Sequence, residues 1–464
     1  MKSLSLAAML TRARLGARTG SGILDVFAVL AFAVSSWLTL TTLGGVFMFQ
    51  SRVGAINRAV ATAFHSDVRT ESIGEIYAAF AVIALALLTI PLLSLGSGAA
   101  RLGAGGRERR LASLRLMGMS ASQVLVMSIV ESVLQATIGY VAGLAVYLAT
   151  LPPWSQLTFG TLPISTAHML LPWWMLLAAY VLVLVIASIS TVVGLQRVTI
   201  SPLGVAHRVI PTNVKMWRLA VLGVALALLL YMTATFSPSS VDVGQVISIG
   251  LAVVIFFGGL ALAGPLFIQL TMRPLVFTGS PTRLIGIRRV VSHSRAAWRN
   301  VSAVALMGAV ATLVSTMTIV SLDSPVGDQA QSYAELMAHD IPQGVLIAFA
   351  FSLVIGAVST MIHQVSDVFD RSDETRALVY VGTPVSTLIR ARFIQVMYPL
   401  LAVLVIVVGL SFVPSLTHPA LVKWGNMLAL LTMIGLGIAL TFAAVAVTIP
   451  IQHRILSARV RRND

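Results

Sequence analysis

The sequence contains no cysteine and little charge. Without cysteine, the chain forms no disulfide framework and offers no thiolate ligands to a metal. Charged residues make up only 10% of the 464 residues, whereas hydrophobic residues make up 57%. A water-soluble domain of this size exposes far more charge, so this composition excludes a soluble protein and indicates a polytopic membrane protein.

Lysine is also scarce, and its positions exclude a nucleotide-binding P-loop. Only Lys2, Lys215 and Lys423 are present, and none of them follows a glycine. A P-loop needs the pattern G-x-x-x-x-G-K-[ST], because its glycines let the backbone approach the phosphates and its lysine contacts them. The eight histidines show no metal-ligand spacing such as H-x-x-x-H, and no G-x-S-x-G motif is present. We therefore expect no catalytic, cofactor or metal site in this chain.

Long apolar stretches are abundant. A bilayer-spanning helix needs about 20 mostly apolar residues. Ten stretches qualify, at about 26–48, 76–97, 123–150, 170–195, 217–236, 246–271, 301–321, 343–365, 393–413 and 426–449. The sequence therefore predicts an all-α integral membrane protein with about ten transmembrane helices and with both termini on one side.

The distribution of basic residues predicts the orientation. Of the 31 lysines and arginines, 27 lie in the two tails and in the connections that follow spans 2, 4, 6 and 8. The opposite face holds four, which are Arg52, Arg58, Arg69 and Lys423. The positive-inside rule then places both termini in the cytoplasm and explains the net charge of +15 without a nucleic-acid partner. The outer connections 49–75 and 322–342 are too short for a large extracellular domain.

The two halves of the chain share a pattern. "RERRLASLRLMGMSAS" (107–122) lies between spans 2 and 3, and "DRSDETRALVYVGTPVSTLIRARF" (370–393) lies between spans 8 and 9. An offset of 264 residues pairs Gly118 with Gly382, Leu114 with Leu378, Ser122 with Ser386 and Glu131 with Gln395. Both halves enter the membrane in the same direction, so the repeat is parallel, unlike the inverted repeats of many secondary transporters. We predict four-span units at 1–200 and 273–464, with a central two-helix hairpin at 201–272.

Each half carries a short charged segment that ends in glycine. In the first, Leu111, Leu114, Met117 and Gly118 recur at helical spacing and form one apolar stripe between arginines. The glycine offers a helix stop before the chain re-enters the bilayer. Such a helix can lie against anionic lipid or dock on a partner. Because lipid attraction does not explain Asp373 and Glu374 in the second copy, the pair favours a protein partner.

"RRLASLRLMGMS" and "ETRALVYVGTPVS" resemble the signature segment of FtsX-like permeases of ABC transporters, which include the macrolide-exporter and bacitracin-resistance types. The resemblance implies that both segments couple the permease to an ATPase. The coupling residues would be Arg109, Arg110, Leu111, Leu114, Met117 and Gly118 in the first copy, and Asp373, Glu374, Leu378, Val381 and Gly382 in the second. Family members commonly place Glu eight residues before the glycine, as at Glu374, whereas the first copy has Arg110. The bacitracin-resistance branch usually has a large extracellular domain that 322–342 lacks.

The resemblance implies a permease subunit in the bacterial cytoplasmic membrane. ATP and Mg²⁺ would bind to separate ABC ATPase subunits, two for each permease chain, and the cargo would be amphipathic or lipid-like: a peptide antibiotic, a lipid, a lipoprotein or a hydrophobic drug. It would be exported or extracted from the membrane. One alternative is a mechanotransmitter that regulates an envelope enzyme without transport. Another is an ion-coupled secondary transporter, against which stand the parallel repeat and the shortage of intramembrane acids.

Glu131 is the only acidic residue well inside a predicted span. Ionisable groups in the membrane are costly and are usually functional or paired. We therefore consider a direct role in transport, and as an alternative a position near the cytoplasmic interface with an arginine partner. The glycine-rich stretches 43–47 and 257–264 predict helix-packing surfaces.

Overall fold

The computed structural model describes residues 20–64, 73–105, 117–200, 215–235, 243–277, 279–316, 328–417, 427–450 and 452. Fifteen α-helices dominate these residues. They are α1 (Gly20–Ser51), α2 (Val53–Phe64), α3 (Ile73–Gly105), α4 (Ala121–Ala149), α5 (Leu151–Trp154), α6 (Thr166–Met169), α7 (Trp173–Ile200), α8 (Trp217–Ala234), α9 (Val243–Met272), α10 (Pro281–Ser292), α11 (Ser294–Thr316), α12 (Asp328–Asp370), α13 (Ser372–Tyr380), α14 (Val385–Phe412) and α15 (Met427–Ala446). A two-residue antiparallel ribbon, β1 (Thr158–Phe159) and β2 (Leu162–Pro163), lies between α5 and α6.

Ten of these helices coincide with the ten predicted spans. Within the described residues, nine are long and apolar enough to cross a membrane, namely α1, α3, α4, α7, α8, α9, α11, α12 and α14. The tenth predicted span is α15, whose shorter apolar stretch is Leu431–Ala446. The prediction of an all-α, multi-pass membrane protein is confirmed.

The connection predicted at 322–342 is helical over its second part. Residues 328–342 are the first turns of α12, which is 43 residues long and continues through Pro342. The sequence "DQAQSYAELMAHD" is too polar for a bilayer span, but its Ala, Gln, Glu, Leu and Met residues favour a helix. Hydropathy alone therefore placed the start of this helix too late. The predicted connection 49–75 likewise contains a helix, α2.

The helices of the two halves have equivalent neighbours. In the first half, α1 packs against α3 and α4, and α7 packs against α3 and α4; in the second, α11 packs against α12 and α14, and α15 packs against α12 and α14. The halves meet where α3 contacts α12 and where α9 contacts both α3 and α11. This shared pattern agrees with a parallel repeat, and the exact unit boundaries stay a prediction.

Small residues let the helices approach closely. Gly139 and Gly143 of α4 form a G-x-x-x-G pair, and a Cβ atom at either position would collide with α1, at Phe32 and at the carbonyl of Ala33. Without a hydrophobic drive between helices in lipid, such backbone proximity is a main source of helix association. The predicted packing role of 257–264 is confirmed at Gly264, which lies directly against the Trp298 ring.

Candidate coupling sites and central cavity

Gly118 and Gly382 adopt the same backbone conformation. Their φ angles are +100° and +95°, a region that L side chains rarely adopt. At Gly382 the turn closes α13: the Gly382 N–H donates to Val379 O at 2.9 Å, and the Thr383 N–H donates to Leu378 O at 3.0 Å. These two bonds form a Schellman motif. The helix stop predicted at Gly382 is therefore present.

Apolar side chains beside both glycines are exposed. The residue before each glycine, Met117 in one half and Val381 in the other, is 73% and 85% exposed. Tyr380, which ends α13, is also exposed. All three lie outside the spans, which begin at Ser122 and Val385. The two halves therefore present matched exposed apolar residues at the same end of the bundle. We call this end, which carries the arginine-rich connections after spans 2 and 8, the basic end.

Ion pairs hold α13 in place. A guanidinium nitrogen of Arg289 in α10 lies 2.9 Å from the carboxylate of Glu374, and Arg371 lies 3.5 Å from the other Glu374 oxygen. The Nε of Arg371 also contacts Asp367 at 2.6 Å, at the end of α12. Burial lowers the pKa of Arg371, but the two carboxylates more than offset this and raise it. Glu374 thus holds α13 against α10 and beside the end of α12.

Part of the predicted coupling set lies outside the described residues. This holds for Arg109, Arg110, Leu111 and Leu114, and for the side chain of Asp373. Leu378 is in α13 and is partly buried. The contact of these residues with an ATPase stays a prediction.

Glu131 is buried in the interior of the first half. It is 3% exposed and lies ten residues into α4, which corresponds to about 15 Å along a helix axis. The neighbouring turns of α4 are polar as well: Thr191 of α7 donates to Ser132 at 2.8 Å, and Gln135 donates to Asp25 of α1 at 2.8 Å. Glu131 itself has a polar or electrostatic partner. This environment is internal to the protein, and both the direct role in transport and the position near the cytoplasmic interface stay predictions.

The second half replaces this acid with an amide and a cation. Gln395 occupies the position equivalent to Glu131, and Arg392 lies one turn before it in α14. Both are buried, and Arg392 reaches Thr448 at 3.5 Å. The interiors of the two halves therefore differ in charge although their helices have equivalent neighbours.

A cavity of about 380 Å³ lies between the halves. Its walls come from α1, α3, α8, α9, α11 and α12, together with the connection between α4 and α7. The wall residues of α1 and α3 run over 41–49 and 76–88, so the cavity lies toward the end of the bundle opposite the basic end. We call this opposite end the loop end. Most wall residues are aliphatic or aromatic.

Asp340 is the only charged residue among the described cavity walls. It lies near the start of the apolar part of α12 and is 3% exposed. One carboxylate oxygen accepts hydrogen bonds from the Tyr77 hydroxyl at 2.7 Å and from the Gly160 N–H at 2.8 Å. The other lies 2.9 Å from Nδ1 of His339. Asp340 thus joins α12 to α3 and to the turn between β1 and β2.

Sequence reasoning missed Asp340 and the cavity. It assigned Asp340 to the outer connection at 322–342, because the hydropathy of residues 328–342 is low. The one available signal was the helix propensity of that stretch. The partners of Asp340, Tyr77 and Gly160, are 263 and 180 residues away in the chain, so no local pattern relates them.

Comparison with known proteins identifies one domain. Residues 98–203 match the family model described as FtsX-like permease C-terminal. The matched segment runs from the end of α3 to beyond α7 and includes Gly118 and Glu131. No curated protein and no solved structure matches the chain. The chain contains an FtsX-like permease domain, which supports a permease subunit of an ABC transporter; the macrolide-exporter and bacitracin-resistance subtypes stay predictions.

Proposed function

We propose that the chain is the membrane-spanning permease subunit of an ABC transporter whose ATPase is a separate polypeptide. ATP and Mg²⁺ bind to that partner, because the chain has no P-loop. The basic end faces the cytoplasm of a bacterial cell and receives the ATPase, and both termini lie on that side. The FtsX-like match over 98–203 supports the class, and the excess of arginine at the basic end supports the orientation.

The observation that carries the proposal is the matched pair of turns at Gly118 and Gly382. Each combines a left-handed glycine with an exposed apolar neighbour, Met117 or Val381, immediately before a long membrane helix. An exposed apolar group on a fixed turn is a suitable contact for a protein partner. A force applied to the turn passes directly into α4 or α14. We propose these turns as the points where ATP hydrolysis drives the permease.

Two turns in one chain indicate two ATPase subunits for each permease. The turns differ in charge, since the first segment is arginine-rich and the second contains Asp373 and Glu374. The two ATPase contacts are therefore similar in shape and unequal in electrostatics.

The cavity supports an amphipathic or lipid-like cargo. Its walls are mainly apolar, so a strongly hydrated solute would find few partners to replace water. Its position toward the loop end fits export, or extraction from the outer leaflet. Cargo that stimulates ATP hydrolysis by the complex would distinguish transport from mechanotransmission without cargo.

Copurification tests the proposal. We expect the tagged chain, extracted in a mild detergent from the cells that express it, to bring down an ABC ATPase at two copies per permease by native mass spectrometry. The double variant Met117→Ser/Val381→Ser should lose the ATPase. Trp173→Ser, at an exposed aromatic residue of the loop end, should keep it. Recovery of the permease alone, while the ATPase is expressed and folded, would contradict the proposal.

A further inference from the structure

We propose that the central cavity binds a cationic amphiphile, with its apolar body between the halves and its positive group beside Asp340. This inference rests on the proposed function, because it makes the cavity the cargo site of the permease. It adds the charge of the cargo, which neither the family resemblance nor the domain match provides.

The walls define the apolar body. A volume of about 380 Å³ lies within the range of roughly 300–1,000 Å³ that is typical of small-molecule sites. Ile83 and Leu87 of α3, Val253 of α9 and Phe351 of α12 line it from several sides. Burial of apolar ligand surface against such walls provides affinity without directional contacts. The occupant is therefore a compact molecule with a large apolar portion.

Asp340 defines the polar group. Its two closest donors, the Tyr77 hydroxyl and the Gly160 N–H, are neutral and leave the negative charge of the carboxylate in place. The remaining contact, His339, has a 68% exposed side chain and supplies a positive charge only when protonated. A buried carboxylate in a membrane protein is stabilised by a counter-charge. A cationic ligand would supply this charge from the cavity side.

The same geometry disfavours a phospholipid. A phospholipid headgroup brings a phosphate together with any amine, and the phosphate would be repelled by the Asp340 carboxylate. A small organic cation with an apolar body avoids this cost. The carboxylate also has a structural role, because it fixes the Gly160 turn, but a neutral amide oxygen accepts the same hydrogen bonds. Asp340→Asn therefore removes the negative charge but keeps the hydrogen-bond acceptor, so its effect on ligand binding can be measured while the Gly160 turn stays in place.

Tetraphenylphosphonium and tetraphenylborate provide the test, since they have nearly the same shape and opposite charge. We would measure equilibrium binding of each labelled ion to the full chain in detergent, without ATPase. Binding that remains in the presence of excess unlabelled ion is nonspecific and is subtracted. We expect saturable binding of tetraphenylphosphonium only. Asp340→Asn should weaken it by about tenfold or more, which corresponds to about 1.4 kcal/mol. Glu75→Gln, which alters a carboxylate of the loop end that contacts Asn57 outside the cavity, should leave it unchanged.

A second variant fills the cavity without changing charge. Gly45 lines the cavity, and a Cβ atom there meets no atom within 4 Å, so Gly45→Leu occupies free space. Gly409→Leu is the matched control, because Gly409 is equally open but lies outside the cavity walls. Gly45→Leu should abolish tetraphenylphosphonium binding, and Gly409→Leu should not.

Four results would overturn the inference: no saturable binding of the cation, equal binding of the anion, unchanged binding in a folded Asp340→Asn variant, or unchanged binding in Gly45→Leu. If Asp340→Asn fails to fold, Gly45→Leu and the comparison of the two ions still decide the question. Because no ATPase is present, failure here leaves the ATPase partnership intact. Failure of copurification, in turn, leaves the binding result intact.

Discussion

The hydroxyl of Tyr77 in α3 donates a 2.7 Å hydrogen bond to the carboxylate of Asp340 in α12, 263 residues away. This bond joins a helix of the first half to a helix of the second at the loop end. The same carboxylate oxygen also accepts the N–H of Gly160, so three separate parts of the chain meet at one charged group.

Tyr77→Phe should destabilise the protein. The variant removes the donor but keeps the ring, and a hydrogen bond to a charged group contributes about 1.5–3 kcal/mol. We expect a lower thermal unfolding temperature in detergent than for the unmodified chain. Tyr231→Phe is the control, since Tyr231 is 63% exposed on α8. Equal unfolding temperatures for the unmodified chain and Tyr77→Phe would show that this bond adds no stability.

Gly382→Ala should impair coupling to the ATPase. A Cβ atom at this position meets no neighbour, so the cost arises only from the left-handed backbone and is about 1–2 kcal/mol. We expect reduced ATPase activity of the complex. Gly223→Ala, at an open helical position of α8, should leave activity unchanged and slightly favour the helix. If both variants retain full activity, the Gly382 turn does not couple ATP hydrolysis to the permease.

The Arg289–Glu374 ion pair should position α13 without adding much stability. Glu374 is half exposed, and pairs of this kind contribute roughly 0.2–1 kcal/mol. We expect Glu374→Arg to lower ATPase coupling through repulsion with Arg289 and Arg371. The exchange Arg289→Glu/Glu374→Arg should restore part of the lost coupling, as measured by ATP hydrolysis of the complex. No recovery in the exchanged pair would show that Glu374 acts through the ATPase instead.

Glu131→Gln should retain ATP-coupled transport. The second half has an amide at the equivalent position, Gln395, and the variant keeps the size of the side chain. Glu131→Leu should destabilise the protein, because it removes a buried polar group from its partner. The measurement is transport, in proteoliposomes, of a cargo that stimulates ATP hydrolysis by the complex. Complete loss in Glu131→Gln, with normal folding, would establish a direct role for the carboxylate.

Much of the fold could be predicted from the sequence, because a membrane imposes a strong length and polarity requirement on each helix. Hydropathy located the ten long helices of the described residues, and the glycine alignment located two turns with the same backbone conformation. It did not locate α2 or the first turns of α12, whose composition is polar. Their helical structure depends on local propensity and on packing rather than on the bilayer.

The site was predicted only in part, for a physical reason. Gly118 and Gly382 carry a local backbone signal, so sequence comparison found them. Asp340 acquires its importance from Tyr77 and Gly160, which reach it only in the folded chain. The burial of Arg392 was also missed, since an arginine near the start of a span is usually expected at the membrane surface.

Site-directed cross-linking tests the central claim most directly. The chain has no cysteine, so Met117→Cys and Val381→Cys each introduce a single thiol at an exposed position. After modification with a short photoreactive maleimide in the assembled complex, we expect both positions to cross-link to the ATPase, and Trp173→Cys at the loop end to give no such product. Efficient labelling of both thiols without cross-linking to a nucleotide-binding subunit would contradict the account.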